Sequence, residues 1–206
     1  VILAIDTSVG ISVAIHDGQK TLAQRTTSEH GQQGEYTADY LNELLTSTNC
    51  APSDIKQVVV GVGPGPFTGL RVGIATAVTF AHALQIPVRG LCSLDAVGFV
   101  TSGECIVISD ARRKELYWAK YLDGKRVSDP TVSTPQVLQL DFPGTHFVGP
   151  AANLYPELIS GEFLELRAEH LAELLAKNLG QFQDVVPMYL RKPDAVEPTN
   201  RKQVLQ

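Results

Sequence analysis

The stretch Gly61-Val62-Gly63-Pro64-Gly65-Pro66-Phe67-Thr68-Gly69-Leu70-Arg71-Val72-Gly73 decides how this chain is read. The residues leading into it, Gln57 to Val62, are an apolar run of strand length. They empty into a loop of glycines and prolines, and Thr68 stands where it would cap a helix running to Leu84. Two readings of the loop are open. Backbone amides at a helix N-terminus attract anions, which gives a phosphate site. Alternatively, the glycines serve a rigid turn in which backbones pack closely. The stretch lacks the Gly-Lys-Ser/Thr ending of a Walker loop and has no GxGxxG in the right frame.

The expected helix from Thr68 carries Gly69, Gly73, Ala77 and Ala81 at every fourth position, one smooth ridge of small side chains. Leu70, Ile74 and Val78 form a second ridge, and Val72, Thr76, Thr79 and Ala83 are hardly more polar. Arg71 is its only charge. A helix lying on a sheet usually exposes a charged stripe, whereas one that is apolar all round is covered on both sides. Small residues at this spacing let a second helix approach closely. Charge is scarce around it too: of the 53 residues from 57 to 109, only Arg71, Arg89, Asp95 and Glu104 are charged. Either the monomer buries this helix within itself or a second protein covers it. A chain of 206 residues has little left to cover both faces, which favours a partner.

Upstream, Val1 to Ile5 is continuously apolar and ends at Asp6-Thr7-Ser8, a buried strand delivering polar groups to its C-terminal end. Ile11 to His16 alternates, and Asp17-Gly18 turns the chain into a polar strand from Lys20 to Thr26. A helix is expected from Glu35 to Thr48, with Tyr36, Tyr40, Leu41, Leu44 and Leu45 at helical spacing. Downstream come a strand at Pro87 to Leu91 and a helical segment capped by Ser93. The second half then resembles a shorter copy of the first. Glu104 to Ser109 ends at Asp110 as the first strand ends at Asp6. Leu116 to Leu122 and Arg126 to Thr131 pair around Asp123-Gly124, Thr145 to Val148 is a short strand, and Glu169 to Leu179 is an amphipathic helix. The tail from Asp184 carries no clear element. This order gives two related α/β lobes, residues 1–102 and a smaller 103–206.

Composition sets bounds. The chain is 44% hydrophobic and 19% charged, which is globular, and its formal charge of −5 argues against a generally basic nucleic-acid binder. Cys50, Cys92 and Cys105 suggest neither a disulfide framework nor a CxxC metal site, in keeping with a reducing compartment. The opening apolar run lacks a basic region before it and is too short for an export signal. The 17 residues between Arg71 and Arg89 include His82, Gln85 and Pro87, so a membrane span is not expected. A cytoplasmic protein follows.

Asp6, Thr7 and Ser8 at one strand end face Asp110, Ala111 and Arg112 at the corresponding end of the other half. Two carboxylates across a cleft, with Gly63, Gly65 and Thr68 alongside, would suit a metal–nucleotide complex. Turn and cap chemistry explains the same residues equally well. The five histidines (His16, His30, His82, His146, His170) show no HxxxH or HExxH spacing. No GxSxG elbow and no His beside a cysteine is present. Arg112-Arg113-Lys114 reads either as a phosphate contact or as a solvated turn.

Four segments carry a resemblance: ILAIDTS at 2–8, the 61–73 segment, DARRKELYWA from Asp110, and Pro187-Met188-Tyr189-Leu190-Arg191. In this order, and over nearly the whole chain, they resemble the bacterial TsaB (YeaZ) family. The resemblance implies an α/β fold of the actin/Hsp70/sugar-kinase-like (ASKHA, ribonuclease H-like) type, with two lobes and the second reduced. It implies a non-catalytic paralogue of TsaD that pairs with TsaD and with the ATPase TsaE. That complex makes threonylcarbamoyl-adenosine beside the anticodon of tRNA. ATP and the metal ion would belong to the partner enzymes, and this chain would need no cofactor and would meet tRNA only through the complex. The contact would use the first two helices, through Tyr36, Tyr40 and Leu44 on one and Gly69, Leu70, Gly73, Ile74, Ala77, Val78 and Ala81 on the other. A homodimer through the same helices is expected when TsaD is absent. Asp6, Thr7, Ser8, Gly63, Gly65, Thr68, Asp110 and Arg112 would then be a vestigial nucleotide cleft. The family usually has His-Ser-Glu before the first helix, where this chain has His30-Gly31-Gln32. The rival reading from the residues is a nucleotide-dependent, ATPase-like enzyme resting on Asp6, Asp110 and the glycine loop; a metalloprotease is a poor third.

Overall fold

A computed structural model describes residues 1–27 and 33–191. The His30-Gly31-Gln32 expectation lies outside these residues. The first sheet is built from β1 (Ile2–Asp6), β2 (Ile11–His16), β3 (Thr21–Thr27), β4 (Gln57–Gly61) and β5 (Val88–Leu91), in the order β3-β2-β1-β4-β5. The first three strands are antiparallel, and β2 turns into β3 at Asp17-Gly18, where Gly18 has φ +100° and the Asp17 carboxylate accepts from the Gln19 and Lys20 amides. β4 and β5 run parallel to β1 and need crossovers. Those crossovers are α1 (Gln33–Ser47) and α2 (Phe67–Leu84); a 3-10 turn at Pro52–Asp54 leads from α1 into β4.

Alternation along the strands sorts the core by face. Leu3, Ile5, Val13, Ile15, Val58 and Val60 point to one side and pack on Leu41, Leu44 and Leu45 of α1 and Ile74, Ala77 and Ala81 of α2. Ile2, Ala4, Ala14 and Val59 point to the other side. There they meet α5 (Ala168–Ala176), with Leu171, Ala172 and Leu175 buried, and the short α3 (Asp95–Gly98).

The second sheet comprises β6 (Glu104–Asp110), β7 (Leu116–Leu122), β8 (Lys125–Arg126), β10 (Phe147–Val148) and β11 (Gly161–Glu162), in the order β11-β10-β6-β7-β8, with β9 (Thr131–Ser133) also paired to β7. Its inner face adds Cys105, Val107, Ala119, Tyr121 and Val148 to the core that holds α3 and α5. Its outer face packs with α4 (Pro135–Asp141) through Leu138. The chain-order division at residue 102 therefore falls between α3 and β6, while one core takes residues from both sides of it.

The lobed α/β expectation holds, with local corrections. The segment expected as one strand at Arg126 to Thr131 is two short strands, β8 and β9. The helix α4 and strand β11 lack a clear periodic signal; α4 is capped by Thr134, whose hydroxyl accepts from the Val137 amide at 3.4 Å. Ser93 does not cap α3: its hydroxyl accepts the Gly63 amide at 3.0 Å instead, and Leu94 holds the cap position. Thr68 does not cap α2 either. Pro66, extended at φ −60° and ψ 135°, holds the cap position two residues earlier, and Thr68 lies exposed in the first turn.

Residues 183–191 are more ordered than their composition suggests. Gln183 exchanges two backbone hydrogen bonds with Gly90, at 3.2 and 3.0 Å, and the Met188 amide donates to Val62 O at 2.7 Å. Tyr189 lies on the first turn of α2, and the Arg191 guanidinium donates to Ala111 O at 3.0 Å and to the Glu115 carboxylate. Residues 182–191 thus strap the first sheet to the β6–β7 turn.

Candidate functional site

At the C-terminal ends of β1 and β6 a cavity of about 250 Å³ is lined by Asp6, Ser8, Ser12, Pro66, Asp110, Arg112, Phe163 and Glu165, among others. Four of the residues expected in the cleft, Asp6, Ser8, Asp110 and Arg112, are among them. The other four, Thr7, Gly63, Gly65 and Thr68, are not in its lining. The Thr7 hydroxyl donates to Gly69 O at 2.7 Å and accepts from the Gly73 amide at 3.1 Å, so it is spent on α2. Gly63, at φ +105°, bonds to Ser93 through its carbonyl and its amide. Thr68 is on the helix surface.

The glycines answer to crowding. A Cβ on Gly61 would fall 1.6 Å from Asp6 Oδ2, on Gly65 2.8 Å from Ser8 Cβ, and on Gly73 2.2 Å from Thr7 Oγ1. These are close approaches to the protein's own atoms, which is the packing reading of the loop. Asp6 is almost wholly inside. Its Oδ1 accepts from the Ser8 amide at 2.8 Å and the Ser8 hydroxyl at 2.6 Å, while Oδ2 has no hydrogen-bond partner. Burial pushes its pKa up, and the Ser8 contacts and the nearby Ser93 hydroxyl oppose this without overcoming it. Asp110 Oδ2 lies 3.2 Å from Arg112. A cavity this small falls below the roughly 300–1,000 Å³ of ordinary ligand pockets. With its deepest carboxylate turned inward, it does not fit a metal–nucleotide complex. Among the described residues no three His, Cys, Asp or Glu side chains converge.

The two crossover helices carry the other expected site, and here the structure reverses the reading of α2. Gly69, Leu70, Gly73, Ile74, Ala77 and Ala81 are buried against the protein's own sheet and Thr7, and Leu44 of α1 is buried with them. Gly69 and Gly73 admit Thr7, at the end of β1, to the helix backbone, and Ala77 and Ala81 pack in the core of the first sheet. They are not an outer wall. Of the ten expected contact residues, Val78 (40% exposed) and Tyr36 (37%) face outward, and Tyr40 is half-buried.

The exposed stripe is the complement of the ridge: Phe67, Arg71, Ala75, Val78, Thr79 and His82. Its spacing of four, four, three, one and three residues is helical, so it was available from the sequence as the face left over. Arg71 remains its one Arg, Lys, Asp or Glu, and that charge is tied down. The guanidinium lies 3.6 Å from the Phe67 ring centroid and donates to the Tyr189 hydroxyl at 2.9 Å, while Phe67 stacks on Tyr189 at 4.8 Å. On α1, which packs beside α2, Tyr36 and Tyr40 stack at 6.3 Å, and Arg25 lies over Tyr40 while paired with Glu43. By length and hydropathy α2 is apolar enough to cross a bilayer; here its inner face belongs to the sheet core.

Residues 32–195 match the family described as TsaD, tRNA N6-adenosine threonylcarbamoyltransferase. A Mycobacterium tuberculosis protein described only as uncharacterized is 37% identical over 94% of this chain and 93% of its own length. A Mycobacterium leprae relative is 39% identical over 95% of this chain, which spans 56% of that relative's length. Bacillus subtilis TsaB, a tRNA threonylcarbamoyladenosine biosynthesis protein, is 28% identical over 94% of this chain and 95% of its own. The structure of YeaZ from Pseudomonas aeruginosa superposes with a TM-score of 0.74 at 24% identity, covering 92% of this chain and 99% of that one. That likeness shows the fold, a mixed α/β arrangement of two sheets.

Proposed function

Because the chain belongs to the TsaB (YeaZ) family of tRNA threonylcarbamoyladenosine biosynthesis proteins, we propose that it is a non-catalytic subunit that docks a TsaD paralogue on the outer faces of α1 and α2. The observation that carries this is the exposed stripe of α2, which presents Phe67, Ala75, Val78 and Thr79 to solvent with its single guanidinium stacked on an aromatic ring. A surface of this kind is desolvated cheaply, because no free charge has to be stripped of water. Two helices of a paralogous chain with similar crossovers are the natural cover. TsaE joins the same assembly, and tRNA is reached through it, in the cytoplasm. When the paralogue is absent, a second copy of this chain occupies the face. ATP and metal chemistry stay with the partners, a division that the small cavity and the inward Asp6 support.

The test is co-elution of the chain with its cognate TsaD at one-to-one stoichiometry. Val78→Asp places a charge in the middle of the stripe and should abolish the complex while changing stability by no more than about 0.5 kcal/mol, as exposed substitutions do. A Val78→Asp variant that still co-elutes undiminished overturns the docking face. The rival enzyme is read separately: ATP hydrolysis by the chain alone, lost in Asp6→Ala, would establish it.

A further inference from the structure

Tyr189 belongs to neither crossover helix, yet it completes the outer face of α2. The strap brings it there. The Met188 amide is tied to Val62 O at 2.7 Å, and Arg191, two residues beyond Tyr189, is held by Ala111 O and the Glu115 carboxylate. Between these anchors the Tyr189 ring stacks on Phe67 at 4.8 Å, and its hydroxyl accepts from Arg71 Nε at 2.9 Å. Arg71 Cζ lies 3.6 Å from the Phe67 centroid and 5.9 Å from that of Tyr189. All three residues are exposed, so two rings and one guanidinium form a ledge at the start of the apolar stripe.

Hydrogen bonding at this ledge is one-sided. A guanidinium carries N–H donors on all three nitrogens and no acceptor. Tyr189 satisfies the Nε donor. Among the described residues no carboxylate pairs with Arg71, and its two terminal nitrogens have no hydrogen-bond partner. Nor does the helix offer one from its own length, since no Asp or Glu occurs from Phe67 to Leu84. Phe67 already covers one face of the guanidinium plane, so little hydration is left there to lose; what remains is the N–H edge. A protein that seals the stripe against water must bring an acceptor to that edge, because a cation buried without one is strongly unfavourable. The backbone carbonyls of a covering helix are mostly spent inside that helix. A nucleic-acid backbone would call for a cluster of cations, and this stripe has one Arg and no Lys. A carboxylate matches the fork of the guanidinium with two parallel bonds.

We propose that the partner docked on α1 and α2 carries an aspartate or glutamate that seats on Arg71, with Tyr189 of the strap holding the guanidinium in place for it. This acid rests on the docking reading above and adds to it the chemistry required on the partner's side. One cation in an otherwise apolar stripe also sets register: a partner displaced by a helical turn would bury both charges unpaired. The strap therefore takes part in choosing the partner, with Tyr189 as a positioning residue that acts through Arg71.

Calorimetric titration of the cognate TsaD into the full chain tests this, using the wild type, Arg71→Met, Tyr189→Phe, the double variant and Val78→Asp. Arg71→Met keeps an apolar stem and removes the charge, and as an exposed substitution it should leave the melting temperature within about 2 °C of the wild type. Affinity for TsaD should fall roughly 30-fold or more, because the partner's carboxylate is then buried without its counter-charge. Tyr189→Phe should weaken binding about three- to tenfold by itself and no further in the Arg71→Met background. Additive losses in the double variant overturn the positioning role of Tyr189. Unchanged or tighter binding by Arg71→Met, in a series where Val78→Asp abolishes the complex, overturns the acidic partner and leaves the docking face standing. Undiminished binding by Val78→Asp removes the docking face and the acid together.

Discussion

Asp6 is the residue on which the enzyme and scaffold readings part, and its environment has a measurable signature. Burial raises its folded pKa above the unfolded value of 3.8. Between those two values the native state holds a proton that the unfolded state has released. Stability is therefore highest below the unfolded pKa and falls as pH rises toward the folded one. Asp6→Asn keeps the acceptor for Ser8 and removes the titration. The melting temperature of that variant, followed from pH 4 to 7, should decline less than that of the wild type; parallel curves would show that Asp6 is not desolvated. Gly73 supplies a second prediction at this scale. A methyl group there meets Thr7 Oγ1, so Gly73→Ala should cost about 1–3 kcal/mol by denaturant titration. In a Thr7→Ala background much of that cost should vanish, because the two atoms that collide are then no longer both present.

Helices and strands show what a lone sequence reveals and what it hides. The alternation of Ile11 to His16, the Asp17-Gly18 and Asp123-Gly124 turns and the apolar β1 and β4 were all legible, because each pattern has its own period. The presence of α2 was legible as well, but the sense of its faces was not. Gly69, Gly73, Ala77 and Ala81 mark a close approach without saying whether the approaching atoms are a partner's or the chain's own; here they are the chain's own, Thr7 at the two glycines and the sheet core at the two alanines. Of the cavity, Asp6, Ser8, Asp110 and Arg112 were foreseen, because all four sit at strand ends. Phe163 and Glu165 follow a two-residue strand, too short to leave a periodic trace. The polar interior of α3 was hidden for a similar reason. Asp95 accepts from the Tyr121 hydroxyl at 2.7 Å and from Arg126 Nε at 2.9 Å, tying α3 to β7 and β8 across some thirty residues of sequence. Removing the cation leaves a buried carboxylate without its counter-charge. Arg126→Ala should destabilise by about 3–5 kcal/mol in thermal or denaturant unfolding, far more than loss of the exposed Arg25–Glu43 pair.

For the whole molecule, the shared core around α5 predicts one unfolding event. Ile2, Ala4 and Val59 from the first sheet and Val107, Ala119 and Tyr121 from the second meet in one cluster with Leu171 and Ala172. Calorimetry should give a single transition with matching calorimetric and van't Hoff enthalpies, and Leu171→Ala should lower it as a unit by about 2–5 kcal/mol. Two resolved transitions, only one of them moved by the substitution, would mean that the halves fold separately.

The position of α5 also governs the order in which this protein can be completed on the ribosome. The underside of the first sheet is written into the chain by residue 91, yet the helix that closes it ends at Ala176. At about 5–20 residues per second, the 85 intervening positions take roughly 4–17 s to synthesise. Throughout that interval a greasy patch of nascent polypeptide has no lid of its own, so chaperone capture should peak on ribosomes paused between those two points and fade once the helix has emerged.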